Sequence, residues 1–154
     1  MSVYQSIIDL LESRGVPYTA MQHEPVRTSE QAAQVRGTPL ERGAKALVLE
    51  CGDDLVLAVI SASLRVDYKA LKAGLGEKRV QMASAQRVLE ATGCEPGGVP
   101  PFGNLLGLPV IVDPSILEQE WIDFNAGDRS RSVEMRSEDF VRIVAPRVIA
   151  FAGN

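Results

Sequence analysis

Two apolar segments separated by a short polar turn constrain the fold of this chain more than any other feature of its sequence. The segments run from Lys45 to Cys51 and from Leu55 to Ile60, with Gly52-Asp53 between them. Apolar residues on both sides of a glycine-containing dipeptide predict a β-hairpin. Because the apolar character is continuous rather than alternating, we expect both strands to be buried, in places on both faces.

Helical segments are interspersed with the predicted strands. Four helices are predicted to begin after the N-cap residues Ser2, Thr28, Asp67 and Ser84. The length of 154 residues fits one domain spanning residues 1–154. Helices and strands follow each other without a regular βαβ repeat, so we expect an α+β fold with a mixed sheet.

Charge and cysteine content exclude several classes of protein. Lys and Arg number 16 against 20 Asp and Glu, which excludes a uniformly basic nucleic-acid binder but not a local basic patch. Cys51 and Cys94 form no disulfide framework and lack the spacing of a zinc site. Acidic residues near the N-terminus exclude a signal peptide, and the longest apolar run is far below the ~20 residues that span a membrane. We therefore expect a soluble, cytoplasmic protein.

The usual catalytic signatures do not occur in the sequence. His23 is the single histidine, and Pro25 after it prevents the helical HExxH arrangement of a metal site. No nucleophile elbow or phosphate-binding P-loop is present. Cys51 ends an apolar strand, as is typical of an inert core thiol, whereas Cys94 lies in a loop and stays an alternative nucleophile. An enzyme of this sequence would use neither a familiar triad nor a metal or other cofactor.

Glycine and proline dominate the segment from Gly93 to Gly103, which excludes a helix or a central strand. Glycine lets the backbone approach a ligand closely, and proline stiffens it. The amides of Gly97, Gly98 and Val99 could point at one anion, as an oxyanion hole or a phosphate nest. The alternative is a long surface loop without a ligand, and composition alone does not separate the two interpretations.

Basic residues mark two further candidate contacts for an anion. Lys45 begins a buried strand, where an anionic ligand would compensate its partial desolvation. The alternative is an ordinary lysine whose ammonium group reaches water. Residues 65–79 carry five basic against two acidic residues, which indicates either a phosphate-binding patch or a solvated helix face.

The order of these motifs resembles one known family. A His-x-Pro sequence at His23 precedes the Thr28-capped helix, Lys45 begins the buried strand, and the segment Gly97–Pro101 has a GxxxP pattern. In this order the motifs resemble the YbaK/EbsC family, aminoacyl-tRNA deacylases related to the editing insertion of bacterial prolyl-tRNA synthetases. The resemblance covers roughly residues 3 to 144.

The resemblance implies a mixed, barrel-like sheet surrounded by helices. It also implies an enzyme that acts in trans, hydrolysing the ester of mischarged tRNA, in particular proline tRNA carrying a small wrong amino acid. The single histidine and the absence of a CxxC motif predict that this hydrolysis is metal-independent. The implied partners are mischarged tRNA and prolyl-tRNA synthetase. We expect no binding to DNA or to a membrane. The alternative is a non-catalytic module of the same fold that binds a tRNA end or a nucleotide.

The resemblance also implies roles for particular residues. The oxyanion would be stabilised by Gly97, Gly98 and Val99, and Lys45 would hold a phosphate or another acceptor of the terminal adenosine. The implied aminoacyl pocket consists of Met21, His23, Pro100, Pro101, Asn125 and Gly127. For a tRNA substrate, the basic segment 65–79 supplies the predicted tRNA-binding residues Lys69, Lys72, Lys78 and Arg79. Alanine-specific members carry a histidine in the region that corresponds to 124–128, and this chain has none there, which argues against alanine specificity.

Overall fold

Helices and strands are intermixed along residues 2–153, the part of the chain that the computed structural model describes. The helices are α1 (Val3–Arg14), α2 (Ser29–Arg36), α3 (Tyr68–Leu75), α4 (Ala85–Thr92), α5 (Gly103–Leu106), α6 (Pro114–Leu117) and α7 (Ser137–Val144). The strands are β1 (Tyr18–Gln22), β2 (Ala44–Cys51), β3 (Asp54–Ser61), β4 (Arg65–Val66), β5 (Val80–Met82), β6 (Val110–Val112), β7 (Trp121–Asn125), β8 (Arg131–Arg136), β9 (Arg147–Val148) and β10 (Ala152–Gly153). Short 3-10 turns occupy Leu40–Arg42 and Pro96–Gly98. The predicted α+β class is confirmed.

The predicted hairpin lies at the centre of a mixed five-stranded sheet with the order β5-β2-β3-β6-β9. β2 and β3 pair antiparallel along their full lengths, and Lys45 lies opposite Ile60. β6 runs parallel to β3, and β9 runs parallel to β6. β5 pairs only with the Leu49–Cys51 end of β2. The Ala44–Leu47 end of β2 is therefore an edge on that side, although the same strand is internal further along.

The remaining strands form separate small sheets rather than a closed barrel. β1, β8 and β7 form an antiparallel sheet, and β10 pairs with β4. Within residues 2–153, an isolated parallel bridge between Gly43 and Asp123 is the one β-bridge that joins the two larger sheets. One bridge is too little pairing to close a barrel, because closure requires a continuous ladder. The barrel-like detail of the expected fold is corrected accordingly.

The predicted N-caps explain where four of the helices begin. In each case a side-chain oxygen accepts a hydrogen bond from a backbone N–H of the first turn, which supplies a partner to a group that the helix leaves unpaired. The four residues are Ser2, Thr28, Asp67 and Ser84. Among residues 2–153, no helix is both long and apolar enough to cross a membrane.

The core divides into two clusters on opposite faces of the five-stranded sheet. One cluster contains Leu49, Ala58 and Leu71 of α3. The other contains the aromatic side chain of Phe102, whose ring centroid lies 5.5 Å from that of Phe124 and 5.9 Å from that of Phe140. Phe102 lies near the end of the Gly/Pro segment Gly93–Gly103, so its burial anchors that end of the loop in the core.

Replacing Phe102 by alanine tests this anchor. We expect Phe102→Ala to lower the free energy of unfolding by about 3–5 kcal/mol, because it removes a fully buried ring and leaves a cavity. Urea denaturation followed by circular dichroism measures the change. Val35→Ala, at a side chain that is 48% exposed, is the control and should stay within about 0.5 kcal/mol of the parent. Equal losses in the two variants would contradict the proposed anchor.

Candidate active site

A cavity of about 340 Å³ opens beside the uncovered end of β2. The N–H of Ala62 donates to the carbonyl of Gly43 at 2.7 Å, so Gly43 and Ala62 form a hydrogen-bonded pair at the end of the β2–β3 ladder. Because such pairs alternate along an antiparallel ladder, the backbone N–H and C=O of Ala46 point away from β3. The strand edge thus presents a donor and an acceptor where β5 ends.

The wall of this cavity is basic and otherwise small or apolar. It contains four basic side chains and no acidic one among the described residues, although the whole chain has a net charge of −4. The basic residues are Arg27, Arg36, Lys45 and Arg129. Arg27 and Lys45 have no ion-pair partner within residues 2–153. The cavity therefore suits an anionic ligand.

The Pro96–Val99 loop also contributes to the cavity lining, and two hydrogen bonds fix the peptide planes of this loop. The side-chain amide of Asn125 donates to the Gly97 carbonyl at 2.7 Å, and the Gly127 N–H donates to the Gly98 carbonyl at 2.9 Å. In a trans peptide the N–H points opposite to the C=O. The Gly98 N–H accordingly points back to Glu95, whose carbonyl accepts it at 2.8 Å. The Val99 N–H points away from the Gly127 turn.

This geometry narrows the set of amides predicted to bind an anion. The Gly98 N–H is already donated within the loop, so it does not act together with its neighbours as expected. Within residues 2–153, the N–H groups of Gly97 and Val99 have no acceptor, and both residues line the cavity. Gly97 and Val99 are therefore the two candidate donors.

The side chain of Arg36 connects α2 to β7 and β8 from inside the protein. It is 5% exposed and donates three hydrogen bonds. Nε donates to Ser132 Oγ at 2.8 Å, one terminal nitrogen to Asp123 Oδ1 at 2.7 Å, and the other to Asn125 Oδ1 at 2.8 Å. Through Asn125, this network reaches the Gly97 carbonyl of the loop.

His23 belongs to the outer part of the same network rather than to the cavity wall. Its Nδ1 lies 2.8 Å from the Glu24 carbonyl, which accepts only, so Nδ1 carries the proton. Its Nε2 then accepts from the hydroxyl of Ser132 at 2.7 Å. The structure therefore gives His23 a supporting position behind Arg36.

The structure brings some of the predicted site residues together and separates others from them. Lys45, Gly97, Val99 and Asn125 line the cavity. Outside its lining lie Met21, His23, Gly98, Pro100, Pro101 and Gly127. Both prolines are buried, and Gly127 contributes its N–H to the loop. These residues do not contribute to the cavity lining.

The predicted tRNA-binding residues lie on and after α3, away from the cavity lining. Lys69 and Lys72 are on α3, and Lys78 and Arg79 are on the segment before β5. Side chains alternate along a strand, so Lys45 is on the same sheet face as Leu47, which packs against the cluster that α3 covers. The basic segment and Lys45 are therefore on one side of the sheet.

Neither cysteine has the environment of a nucleophile. Cys94 is 2% exposed, and burial raises the pKa of its thiol, as it does for Cys51. A raised thiol pKa keeps the sulfur protonated at neutral pH, where it is a poor nucleophile. Within residues 2–153, no group of three or more His, Cys, Asp or Glu side chains is arranged to hold a metal ion.

Three basic residues of the site were not predicted from the sequence: Arg27, Arg36 and Arg129. Arg36 contacts residues that are 87 to 96 positions away along the chain, and no local pattern encodes such a pairing. Arg129 forms an ion pair with Glu95 at 2.7 Å, which bridges the loop and the turn after β7. A weak signal exists only for Arg27, which directly precedes the N-cap Thr28.

Comparisons with known proteins agree with this fold. The family model of the aminoacyl-tRNA editing domain matches residues 23–143, which contain the β2 edge, the loop and the Arg36 network. The chain belongs to the aminoacyl-tRNA editing domain family.

Several relatives match most of the chain. The multifunctional Ser/Thr-tRNA deacylase ProXp-y of Escherichia coli K12 is 36% identical over 153 residues, which cover 96% of this chain and 92% of that one. The prolyl-tRNA editing protein ProX of Acetoanaerobium sticklandii is 26% identical over 94% of this chain and 92% of its own. A crystal structure of a candidate trans-editing enzyme for prolyl tRNA synthetase has a TM-score of 0.85 at 22% identity, covering 100% of this chain and 99% of that one.

Alanine substitutions at the two loop glycines test how the loop is docked. A Cβ at Gly98 would lie 2.8 Å from the Cα of Asp128, and relieving this contact requires a shift of the backbone. A Cβ at Gly97 would lie 2.9 Å from Cδ of Arg129, a flexible side chain that can rotate away. We expect Gly98→Ala to cost about 1–3 kcal/mol of stability and Gly97→Ala much less. Urea denaturation, with hydrogen exchange at the Gly127 N–H, measures both effects, and equal behaviour would contradict the docking geometry.

Proposed function

We propose that the protein is a trans-editing deacylase that hydrolyses the ester between a small amino acid and the 3′-terminal ribose of a mischarged tRNA. The observation that carries the proposal is the cavity itself. Backbone N–H groups of Gly97 and Val99, a strand edge and unpaired basic side chains surround a space without an acidic side chain among the described residues. Membership of the editing-domain family supports the same activity.

The loop amides are proposed to act on the ester carbonyl. As water adds to the carbonyl carbon, negative charge develops on the carbonyl oxygen, and fixed N–H donors stabilise it without reorganisation. Val99 N–H is oriented by the hydrogen bond on the Gly98 carbonyl, so the loop supplies a preorganised donor. Removing one such donor typically costs about 100–1000-fold in kcat.

The remaining chemistry is proposed to come from the substrate. An aminoacyl ester is an activated bond, and the neighbouring ribose hydroxyl can orient the attacking water. Water adds to the carbonyl carbon, the bond from that carbon to the ribose oxygen breaks, and a proton is transferred to the departing ribose oxygen. The cavity wall offers no carboxylate, histidine or thiol among the described residues, so positioning is the protein's main contribution.

The basic residues are proposed to hold the tRNA end. Lys45 lies at the cavity without an ion-pair partner in residues 2–153, which leaves its ammonium group for a phosphate of the terminal nucleotide. The proposed continuation of the tRNA path is the basic segment, with Lys69, Lys72, Lys78 and Arg79. Electrostatic attraction at these sites offsets the repulsion expected from a net charge of −4.

The amino acid is proposed to be serine or threonine. Four alanines make part of the cavity wall apolar, and Thr28 and Ser29 add hydroxyl-bearing side chains to its lining. The small, partly polar space fits a short hydroxylated side chain, and the relative at 36% identity is named a Ser/Thr-tRNA deacylase. Such a second hydrolytic site is required because binding alone discriminates poorly between small amino acids.

We propose that the protein acts in the cytoplasm, since that is where its proposed substrate is charged. Prolyl-tRNA synthetase is proposed as a partner that supplies mischarged tRNA. The proline–tRNA ligase of Thermosipho africanus is 36% identical over 78 residues, which cover 51% of this chain and 14% of the ligase. This likeness supports a link between the domain and proline-specific tRNA charging.

A deacylation screen tests the proposed activity. tRNAs esterified with Ser, Thr, Ala, Cys and Pro, including proline tRNA as the carrier, are incubated with protein far below the tRNA concentration. We expect repeated turnover of the Ser and Thr esters, slower loss of the Ala ester, and persistence of the Pro ester. Esters that outlast the protein-free control would instead show a binding module that protects the tRNA end.

A substitution at Lys45 tests its proposed contact with the nucleotide. Lys45→Met keeps the aliphatic stem and removes the charge, so we expect kcat/KM to fall about 10- to 100-fold, as for the loss of a charged hydrogen bond. The melting temperature should stay unchanged, because Lys45 has no ion pair to lose within the described chain. Arg14→Met, at the exposed end of α1, is the control. Deacylation at the parent rate by Lys45→Met would remove Lys45 from the proposed site.

A further inference from the structure

Arg36 is a buried charge that the proposed reaction does not use. Its side chain is 5% exposed, and its three hydrogen bonds end on Asp123, Asn125 and Ser132. All three acceptors lie on the neighbouring strands β7 and β8. A planar guanidinium can serve three acceptors in fixed directions at once, which a lysine ammonium at the same place cannot do with this geometry.

The bond from Arg36 to Asn125 determines which way the side-chain amide of Asn125 faces. Asn125 Oδ1 accepts from Arg36 at 2.8 Å, and Nδ2 is therefore left to donate to the Gly97 carbonyl at 2.7 Å. If the amide turned by half a rotation, Oδ1 would face the Gly97 carbonyl and repel it. The guanidinium thus makes Asn125 the donor in its hydrogen bond to the Gly97 carbonyl of the loop.

The buried pair of Arg36 and Asp123 is costly to maintain. Burial lowers the pKa of Arg36 and raises the pKa of Asp123, and in both groups this effect outweighs the attraction between the two charges. Asp123 Oδ2 is buried and lacks a hydrogen-bond partner within residues 2–153. A buried ion pair of this kind adds little stability compared with apolar residues of the same size. The orientation that the pair imposes on its neighbours is a better account of its role than stability is.

We propose that Arg36 is a positioning residue for ester hydrolysis, acting through Asn125 on the Gly97–Gly98 peptide of the oxyanion loop. This inference rests on the proposed function. Arg36 fixes Asn125, Asn125 fixes the Gly97 carbonyl, and the planar peptide then directs the Gly98 N–H to Glu95 and holds the loop in the conformation that presents Val99. Arg36 thereby acts on the rate of the chemical step rather than on substrate affinity.

A double-mutant cycle tests this chain of contacts. Arg36→Lys keeps a positive charge beside Asp123 but loses the fork that reaches Asn125. Asn125→Asp still accepts from Arg36 but cannot donate to the Gly97 carbonyl. We expect each variant to lower single-turnover kcat about tenfold or more with KM within about threefold, and the double variant to be no slower than the slower single variant.

Arg42→Lys is the matched control, because Arg42 is partly exposed and its nearest acidic contact, Glu134, is 3.9 Å away. It should deacylate at the parent rate. If the fold-loss of kcat in the double variant equals the product of the two single losses, Arg36 and Asn125 act independently. That result would overturn the proposal. Losses in KM with kcat unchanged would also overturn it.

A measurement without substrate separates this inference from the proposed activity. Hydrogen exchange at the Gly98 N–H reports the loop conformation directly, whether or not the protein is a deacylase. We expect faster exchange at the Gly98 N–H in both Arg36→Lys and Asn125→Asp. The free energy of unfolding from urea denaturation gives the exchange rate expected from complete unfolding, and only exchange beyond that rate reports the loop. Unchanged exchange at Gly98 in both variants would overturn the positioning role even if the parent deacylates tRNA.

Discussion

The docking of the Pro96–Val99 loop on the β7–β8 turn determines the rest of the candidate site. Two carbonyls of the loop, those of Gly97 and Gly98, are held by Asn125 and Gly127. Because a peptide unit is planar, fixing a carbonyl also fixes the N–H on its other side. A site without a catalytic carboxylate, histidine or thiol in the described lining depends on backbone groups being directed in this way.

The second element of the site is the unpaired end of β2. β5 pairs with Leu49–Cys51 and stops, so Ala46 presents its backbone to the cavity, and Lys45 lies next to it near the start of the strand. An edge strand is normally an aggregation risk unless something covers it. Here the edge faces the loop and a set of basic side chains, and a ligand can use its hydrogen-bonding groups. The local positive charge also gives an acidic protein a specific place for an anion.

Features with a local physical cause could be predicted from the sequence. The hairpin follows from two apolar segments around Gly52-Asp53, and the helix starts follow from caps such as Thr28, whose hydroxyl bonds a backbone N–H three residues later. Lys45 and the Gly/Pro loop were also identifiable, because a charge beside a buried strand and a glycine-rich segment are unusual in themselves. Both line the cavity.

Features that depend on the three-dimensional arrangement could not be predicted. Arg36 is an ordinary residue at the end of a polar helix until the fold brings it to Asp123 and Asn125. The Gly98 amide looked equivalent to its neighbours, and only the turn that it forms with Glu95 shows that its N–H is already donated. The barrel-like sheet is likewise not closed, because the two larger sheets meet at one bridge among the described residues.

The central claim is that the loop amides receive the carbonyl of the aminoacyl group. The most direct measurement is amide chemical-shift mapping by NMR with a non-hydrolysable analogue, in which serine is joined to the 3′-position of adenosine 5′-phosphate by an amide. The account predicts the largest shifts at the Gly97 and Val99 amides, with accompanying changes at Ala46 on the β2 edge. Saturable binding that leaves these three amides unchanged and perturbs other residues instead would contradict the account.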